Sequence, residues 1–173
     1  MYAIGSKVVH PFHGAGIIAA IQEKSIGEKK NSYYVINSLS DPSMQLMVPV
    51  NKAENLGLRR VGKPFMLRKK LSMLLEDAPD DDAVQRNFRA RKATLMEKLS
   101  SGQFEEVASA VRILFYMSTW RKLCMTDRRF IERGKEMLAG ELALACDVEK
   151  SEAMAEIEEH LQEMVPEQEE EEA

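Results

Sequence analysis

A chain of 173 residues with 45% apolar and 30% charged residues and a net charge of −4 has the make-up of an ordinary globular protein, long enough for one domain or two small ones. No apolar run approaches the roughly 18 residues that a spanning helix needs, and the opening "MYAIGSKVVHPFHG" has no basic stretch followed by an apolar one. A cytoplasmic protein without membrane association is expected. Cys124 and Cys146 form no CxxC unit and make a thin case for a disulfide; both read as small buried or half-buried residues.

The charge is unevenly spread. Residues 1–82 hold 11 Lys/Arg against 9 Asp/Glu, residues 83–140 hold 12 against 6, and residues 141–173 hold 1 against 13. An acidic average therefore hides a basic middle of +6 and an acidic end of −12. Such asymmetry points to a polyanionic partner for the middle segment.

In chain order, the first sixty residues read as β structure. "KVVH" (7–10) is β-branched, and "PFHGAG" after it is a turn marked by Pro11, Gly14 and Gly16. "IIAAIQEK" (17–24) leads through a polar loop, "SIGEKKNS", to "YYVINSL" (33–39), and "SDPS" turns the chain into "MQLMVPV" (44–50). The last run alternates, with Met44, Leu46, Val48 and Val50 on one face, and Pro49 confines it to a sheet edge. Several short strands of this kind predict a small, strongly bent sheet or barrel.

From about residue 63 the period becomes helical. "FMLRKKLSMLLED" (65–77) places Phe65, Leu67, Leu71, Leu74 and Leu75 along an apolar face. The Asp residues of "APDDD" (78–82) are caps for a helix over 82–100, with Gly102 as its left-handed terminator. A helix over 103–122 turns Phe104, Val107, Val111 and Leu114 inward, Thr126 caps one running to about 146, and a last helix spans roughly 149–164 with Met154, Ile157, Leu161 and Met164 inward. "EQEEEEA" beyond Pro166 cannot bury apolar area, so 166–173 is expected to be a disordered acidic tail. The fold class is α+β: a β module over 1–60, then an all-helical module of about five helices over 64–165.

For chemistry, His10 and His13 in "HPFHG" are the nearest approach to a catalytic or metal cluster, but no third ligand lies near them. Gly14 and Gly16 stand between strands, so they cradle no phosphate at a helix start. Neither a metal, a cofactor nor an enzymatic activity is expected. The basic middle is more informative. "RNFRARK" (86–92) sets one aromatic among four cations; Arg86, Arg89 and Lys92 follow one side of the predicted helix, and Arg91 lies about a turn's width away. Phe88 sits at the margin of that basic side, yet it also fits a core face at i+4 from Val84, with Leu95 and Leu99. A second basic set, Arg128, Arg129, Arg133 and Lys135, occupies the start of a later helix, where cations oppose the helix dipole unless an anion neutralises them. Two such helix starts could grip a phosphate backbone.

Taken together, the motifs resemble the CarD/CdnL family of bacterial RNA polymerase-binding transcription regulators over about residues 3–146. "IGSKVVHPFHGAGIIAAIQ" is similar to the family's opening, and "MVPVNKAENLGLR" to the end of its Tudor-like N-terminal domain. "NFRARKATLMEKLSSG" matches the family's Asn-Trp…Glu-Lys-Leu-x-Ser-Gly stretch without a gap, and "VASAVRIL" and "MLAGELALA" resemble the following helices. The resemblance implies that the N-terminal domain, shared with transcription-repair coupling factors, binds the β subunit of RNA polymerase. It implies that the helical domain contacts promoter DNA at the upstream edge of the melted bubble, stabilising the open complex. There the family wedges a Trp into the minor groove. The matching position is Phe88, used outwardly, with Arg86, Arg89, Arg91 and Lys92 beside it and Arg128 and Arg133 on the later helix. Phe lacks the indole N–H and has a smaller face; apolar wedges in minor grooves nevertheless include Phe. Trp120, the single Trp of the chain, does not fall at the wedge position. Lys24 and Met47 fall where family members place polymerase contacts, and the strand over 44–50 is a plausible edge for β-augmentation.

The expected protein is thus a non-enzymatic, monomeric transcription regulator, associated with the nucleoid through RNA polymerase and binding promoter DNA weakly and without sequence preference when alone. Two rivals remain at this level: a polymerase-bound adaptor whose helical module recruits another protein, and a small hydrolase or metal enzyme built on His10 and His13.

Overall fold

The computed structural model describes residues 1–26, 29–75, 78–80 and 87–165. Five antiparallel strands, β1 (Lys7–His10), β2 (Gly14–Ile26), β3 (Lys29–Ser38), β4 (Gln45–Pro49) and β5 (Arg59–Arg60), form one sheet in the order β4-β3-β2-β1-β5. As Pro49 requires, β4 is an edge strand and ends there. The segment read as a polar loop is mostly strand: Ser25 pairs with Lys30 and Ile26 with Lys29, so β2 and β3 make one long hairpin. A register shift between Ile18 and Ala20 bends β2, as an inserted residue does.

The sheet buries side chains on both faces. Val8, Ile18, Tyr34, Ile36, Val48, Ala53 and Leu58 make one small core, against which Leu46 and Val50 pack. Met44, the fourth residue of that alternation, is exposed. On the other face Val9 and Ala15 are buried toward the helices, which is why the two central residues of β1, Val8 and Val9, are both apolar rather than alternating.

Among the described residues five helices follow: α1 (Pro64–Leu75), α2 (Phe88–Ser100), α3 (Phe104–Trp120), α4 (Met125–Cys146) and α5 (Lys150–Glu163). Their core joins Leu67, Leu71 and Leu75 of α1 to Leu95 and Leu99 of α2, to Phe104, Val107, Val111 and Leu114 of α3, and to Ile157 and Leu161 of α5. Gly134 lets α3 and α4 cross closely, since a Cβ there would stand 2.5 Å from a Val111 methyl.

Three sequence-based expectations are corrected. Phe65 is 75% exposed; it lies two residues, or 200°, from Leu67, so it points away from the Leu67–Leu71–Leu75 row. Cys124, not Thr126, caps α4, its Sγ accepting from the Asp127 N–H at 3.5 Å. Cys124 is accordingly exposed, while Cys146 is half-buried, and both thiols are free. The start expected at Asp82, the core position Val84 and the acidic tail 166–173 lie outside the described residues. The described part of the second helix opens at Phe88, with Asn87 Oδ1 accepting from the Ala90 N–H at 2.9 Å.

The two modules meet along α4, which lies against β2 and β1. Lys7 of β1 donates to the Leu144 carbonyl at 2.7 Å and pairs with Asp147, placing a cation at the C-terminal end of α4. Pro11 fits against Gly57 (φ +82°) and Gly102 (φ +68°), where any Cβ would stand 2.6–2.7 Å from it. Arg59 reaches across to the buried Glu141.

Candidate nucleic-acid interface

The exposed side of α2 begins at its first residue. Phe88 is 49% exposed, which decides its two sequence readings in favour of the outward one. Arg89 and Lys92 are exposed beside it. Met96, 51% exposed, continues the row at i+8 from Phe88. Arg86 lies outside the described residues.

Arg91 differs from its neighbours and corrects an expectation. It is only 5% exposed and cannot present its charge to a phosphate. Its Nη2 lies 3.3 Å from Asp127 Oδ2 on α4, a carboxylate that is 1% exposed. Its guanidinium carbon stands 5.7 Å from the centroid of the Phe88 ring. A desolvated guanidinium against an aromatic face is attractive by about 1–2 kcal/mol. Arg91 therefore supports the ring from within, and Asp127 supports Arg91. Asp127 is the residue that sequence reasoning missed; it lies in the first turn of α4, and only the fold brings it beneath α2.

The second basic set divides likewise. Arg128 and Arg129 are exposed at the start of α4, Arg128 Nε donating to the Leu123 carbonyl at 3.1 Å. Met125, 70% exposed, lies beside them, with Arg129 Nη2 3.8 Å from its sulfur. Arg133 is half-buried and its Nη2 reaches the Phe12 carbonyl at 3.4 Å, so it takes part in the contact between the modules. Lys135 faces Glu132 and Glu158. The Arg91–Asp127 pair thus ties the exposed starts of α2 and α4 together, while the positions farther along α4 serve the fold.

On the β module, Lys24 and Met47 are brought together although β3 separates their strands: Lys24 Nζ lies 3.2 Å from Met47 Sδ. Both are exposed, so an apolar side chain and a cation stand together beside the β4 edge. His10 and His13 stand with ring centroids 5.0 Å apart in the turn facing the helices. Burial, and then His13, hold the His10 pKa below the usual imidazole value, so His10 is neutral and its Nδ1 accepts from the Phe12 N–H at 3.2 Å. Among the described residues no group of three His, Cys, Asp or Glu side chains could hold a metal ion, and no helix is long and apolar enough to cross a membrane.

Residues 2–62 match the family model of the CarD-like/TRCF RID domain, and residues 70–158 match that of the CarD C-terminal domain. A Bacillus subtilis protein described as "Putative transcription factor YdeB" is 32% identical over 142 residues, covering 82% of this chain and 90% of that protein. With both modules matched in order, and a relative aligned along nearly its whole length, the chain belongs to the CarD-like family of transcription regulators.

Proposed function

We propose that this regulator docks on the RNA polymerase β subunit through the edge of its β module, around Lys24 and Met47, and holds the upstream edge of the promoter bubble open with Phe88. The observation that carries the reading is the seat of Phe88: a half-exposed ring at a helix start, set on the buried Arg91–Asp127 pair and flanked by the exposed cations Arg89 and Lys92. A ring meant only for the core would not be presented this way. Arg128 at the start of α4 adds a third cation for the phosphate backbone, and the family resemblance brings Arg86 into the same reading. Arg133 contributes indirectly, through the contact with the β module. The energetics are those of a population shift: a protein that binds open promoter better than closed moves the balance by its differential affinity and no further. Few cations are on offer, so affinity for bare DNA is weak, of order 10⁻⁴–10⁻⁶ M at physiological salt. Tethering to polymerase supplies the remainder as effective concentration, about millimolar for a short link.

The test separates wedge from dock. Phe88→Ala should leave binding to the β subunit unchanged and shorten the open-complex lifetime about fivefold or more, the worth of roughly 1 kcal/mol or above for one stacked ring. Phe88→Trp should restore or lengthen it. Lys24→Glu and Met47→Ala should weaken polymerase binding in pull-downs while leaving helical content unchanged. Lifetimes indifferent to Phe88→Ala, with docking intact, would favour an adaptor whose helices recruit another protein.

A further inference from the structure

The loop between α3 and α4 carries an aromatic that the wedge does not use. Trp120 closes α3 and is 55% exposed. Arg121 leaves the helix in an extended conformation (φ −150°, ψ 156°), and its guanidinium carbon stands 5.3 Å from the centroid of the Trp120 ring. Leu123 is buried and returns the chain to the core, and Cys124 then caps α4. The segment 120–122 is therefore held outward by fixed points on both sides. Its exposed charge is of one sign: Arg121, Lys122, Arg128 and Arg129 are all exposed, and the single acid between residues 118 and 130, Asp127, is buried against Arg91.

We infer that this loop is a binding site for single-stranded nucleic acid, with the Trp120 ring stacking an unpaired base and Arg121 and Lys122 holding the adjoining phosphates. The chemistry favours that ligand over others. A duplex keeps its base faces stacked away from a surface ring, whereas an unpaired strand offers a base face and phosphates together, which an aromatic interleaved with cations matches. An acidic peptide would use the cations and leave the indole without a partner. The site stands beside the wedge: Phe88 rests on Arg91, Arg91 on Asp127, and the Asp127 N–H on Cys124. Four residues of chain, at most about 14 Å, then separate Cys124 from Trp120. The inference rests on the reading that the helical module works at the edge of melted DNA, and it adds a contact for the strand that melting releases.

Trp120 is also its own reporter, being the single tryptophan of the chain. Titrating the full-length protein with a short single-stranded oligonucleotide should quench its fluorescence, and the same sequence as blunt duplex should quench it much less. In anisotropy measurements with labelled single strand, Trp120→Ala should weaken binding about five- to a hundredfold, the range for one stacked base, and Trp120→Phe should recover part of it. Arg121→Glu with Lys122→Glu, which keeps the fluorophore, should abolish the quenching. Phe88→Ala should leave the quenching in place, so failure of the wedge and failure of this site are distinguishable. Quenching equal for duplex and single strand, or single-strand affinity indifferent to Trp120→Ala in a protein of unchanged helical content, would overturn the assignment.

Discussion

The two buried acids of α4 stand near its two ends, each facing an arginine from another element, yet they are built differently. Glu141, at the module junction, receives Arg59 Nη1 and Nη2 on its two oxygens, both at 2.7 Å, and the Gly62 N–H at 3.0 Å. Arg59 spends its remaining donors on the Gly102 carbonyl, at 3.0 and 2.6 Å, and on the Arg60 carbonyl at 3.1 Å, so all five of its N–H groups are used. Asp127, at the other end, meets Arg91 at 3.3 Å, and among the described residues its buried Oδ1 has no hydrogen-bond partner. A buried acceptor left in that state costs on the order of 1–3 kcal/mol. The saturated pair joins three pieces of backbone into a platform. The slack pair lies under the exposed ring. A local rule is kept where the fold needs rigidity and broken where the proposed contact with DNA is made.

Breaking the saturated pair should have the largest effect. Arg59→Ala leaves Glu141 as an uncompensated buried carboxylate and removes both donors to the Gly102 carbonyl. Losing one partner of a buried pair costs about 3–5 kcal/mol, and the partial exposure of Arg59, 24% for its side chain, puts the expectation at the lower end. Chemical denaturation followed by circular dichroism reads this directly. Arg59→Met combined with Glu141→Leu should recover most of the loss, since it removes both charges together. A cost below about 1 kcal/mol for Arg59→Ala would mean that the junction does not hold the modules and that the contrast between the two pairs is only geometric.

Breaking the slack pair should cost less stability and reveal more function. Arg91→Met leaves Asp127 buried without its cation and takes the guanidinium from the Phe88 ring; the expected destabilisation is about 1–3 kcal/mol. Open-complex lifetime should fall toward the value for Phe88→Ala, while binding to the β subunit is unchanged. A variant that loses stability but keeps the full lifetime would make Arg91 a residue of the fold alone.

The same contrast explains what the sequence disclosed. The α+β order, the edge position of Pro49, the inward faces of α3 and α5 and the terminator Gly102 all follow from local rules, because burial period and backbone conformation are local properties. The outward use of Phe88 was accessible only through family resemblance, since its spacing from Val84 suits a core face equally well. The role of Arg91 was not legible at all. One position from Lys92 in a basic run, it looks like its neighbours, and only the approach of α4, 36 residues onward, turns it inward. The Cys124 cap was missed because Thr126 is the better capping residue by propensity, and the chain instead enters the helix two residues earlier.

The smallest expected effect concerns charge at long range. Residues 167–172 contain five glutamates, and removing 166–173 changes the net charge from −4 to +1. Arg89, Lys92, Arg128 and Arg129 are exposed cations, and a run of glutamates in the same chain competes with DNA for them by long-range attraction. Such competition is screened over about 8 Å at physiological ionic strength and over longer distances in dilute salt. Deleting 166–173 should therefore tighten binding to bare DNA by about two- to threefold in low salt, and the gain should vanish as salt rises past physiological strength. Thermal stability should not change, because no apolar area is involved. A gain that persists in high salt would point instead to a segment seated on the basic surface, and no gain in low salt would show that the acidic end and the DNA-contacting face act independently.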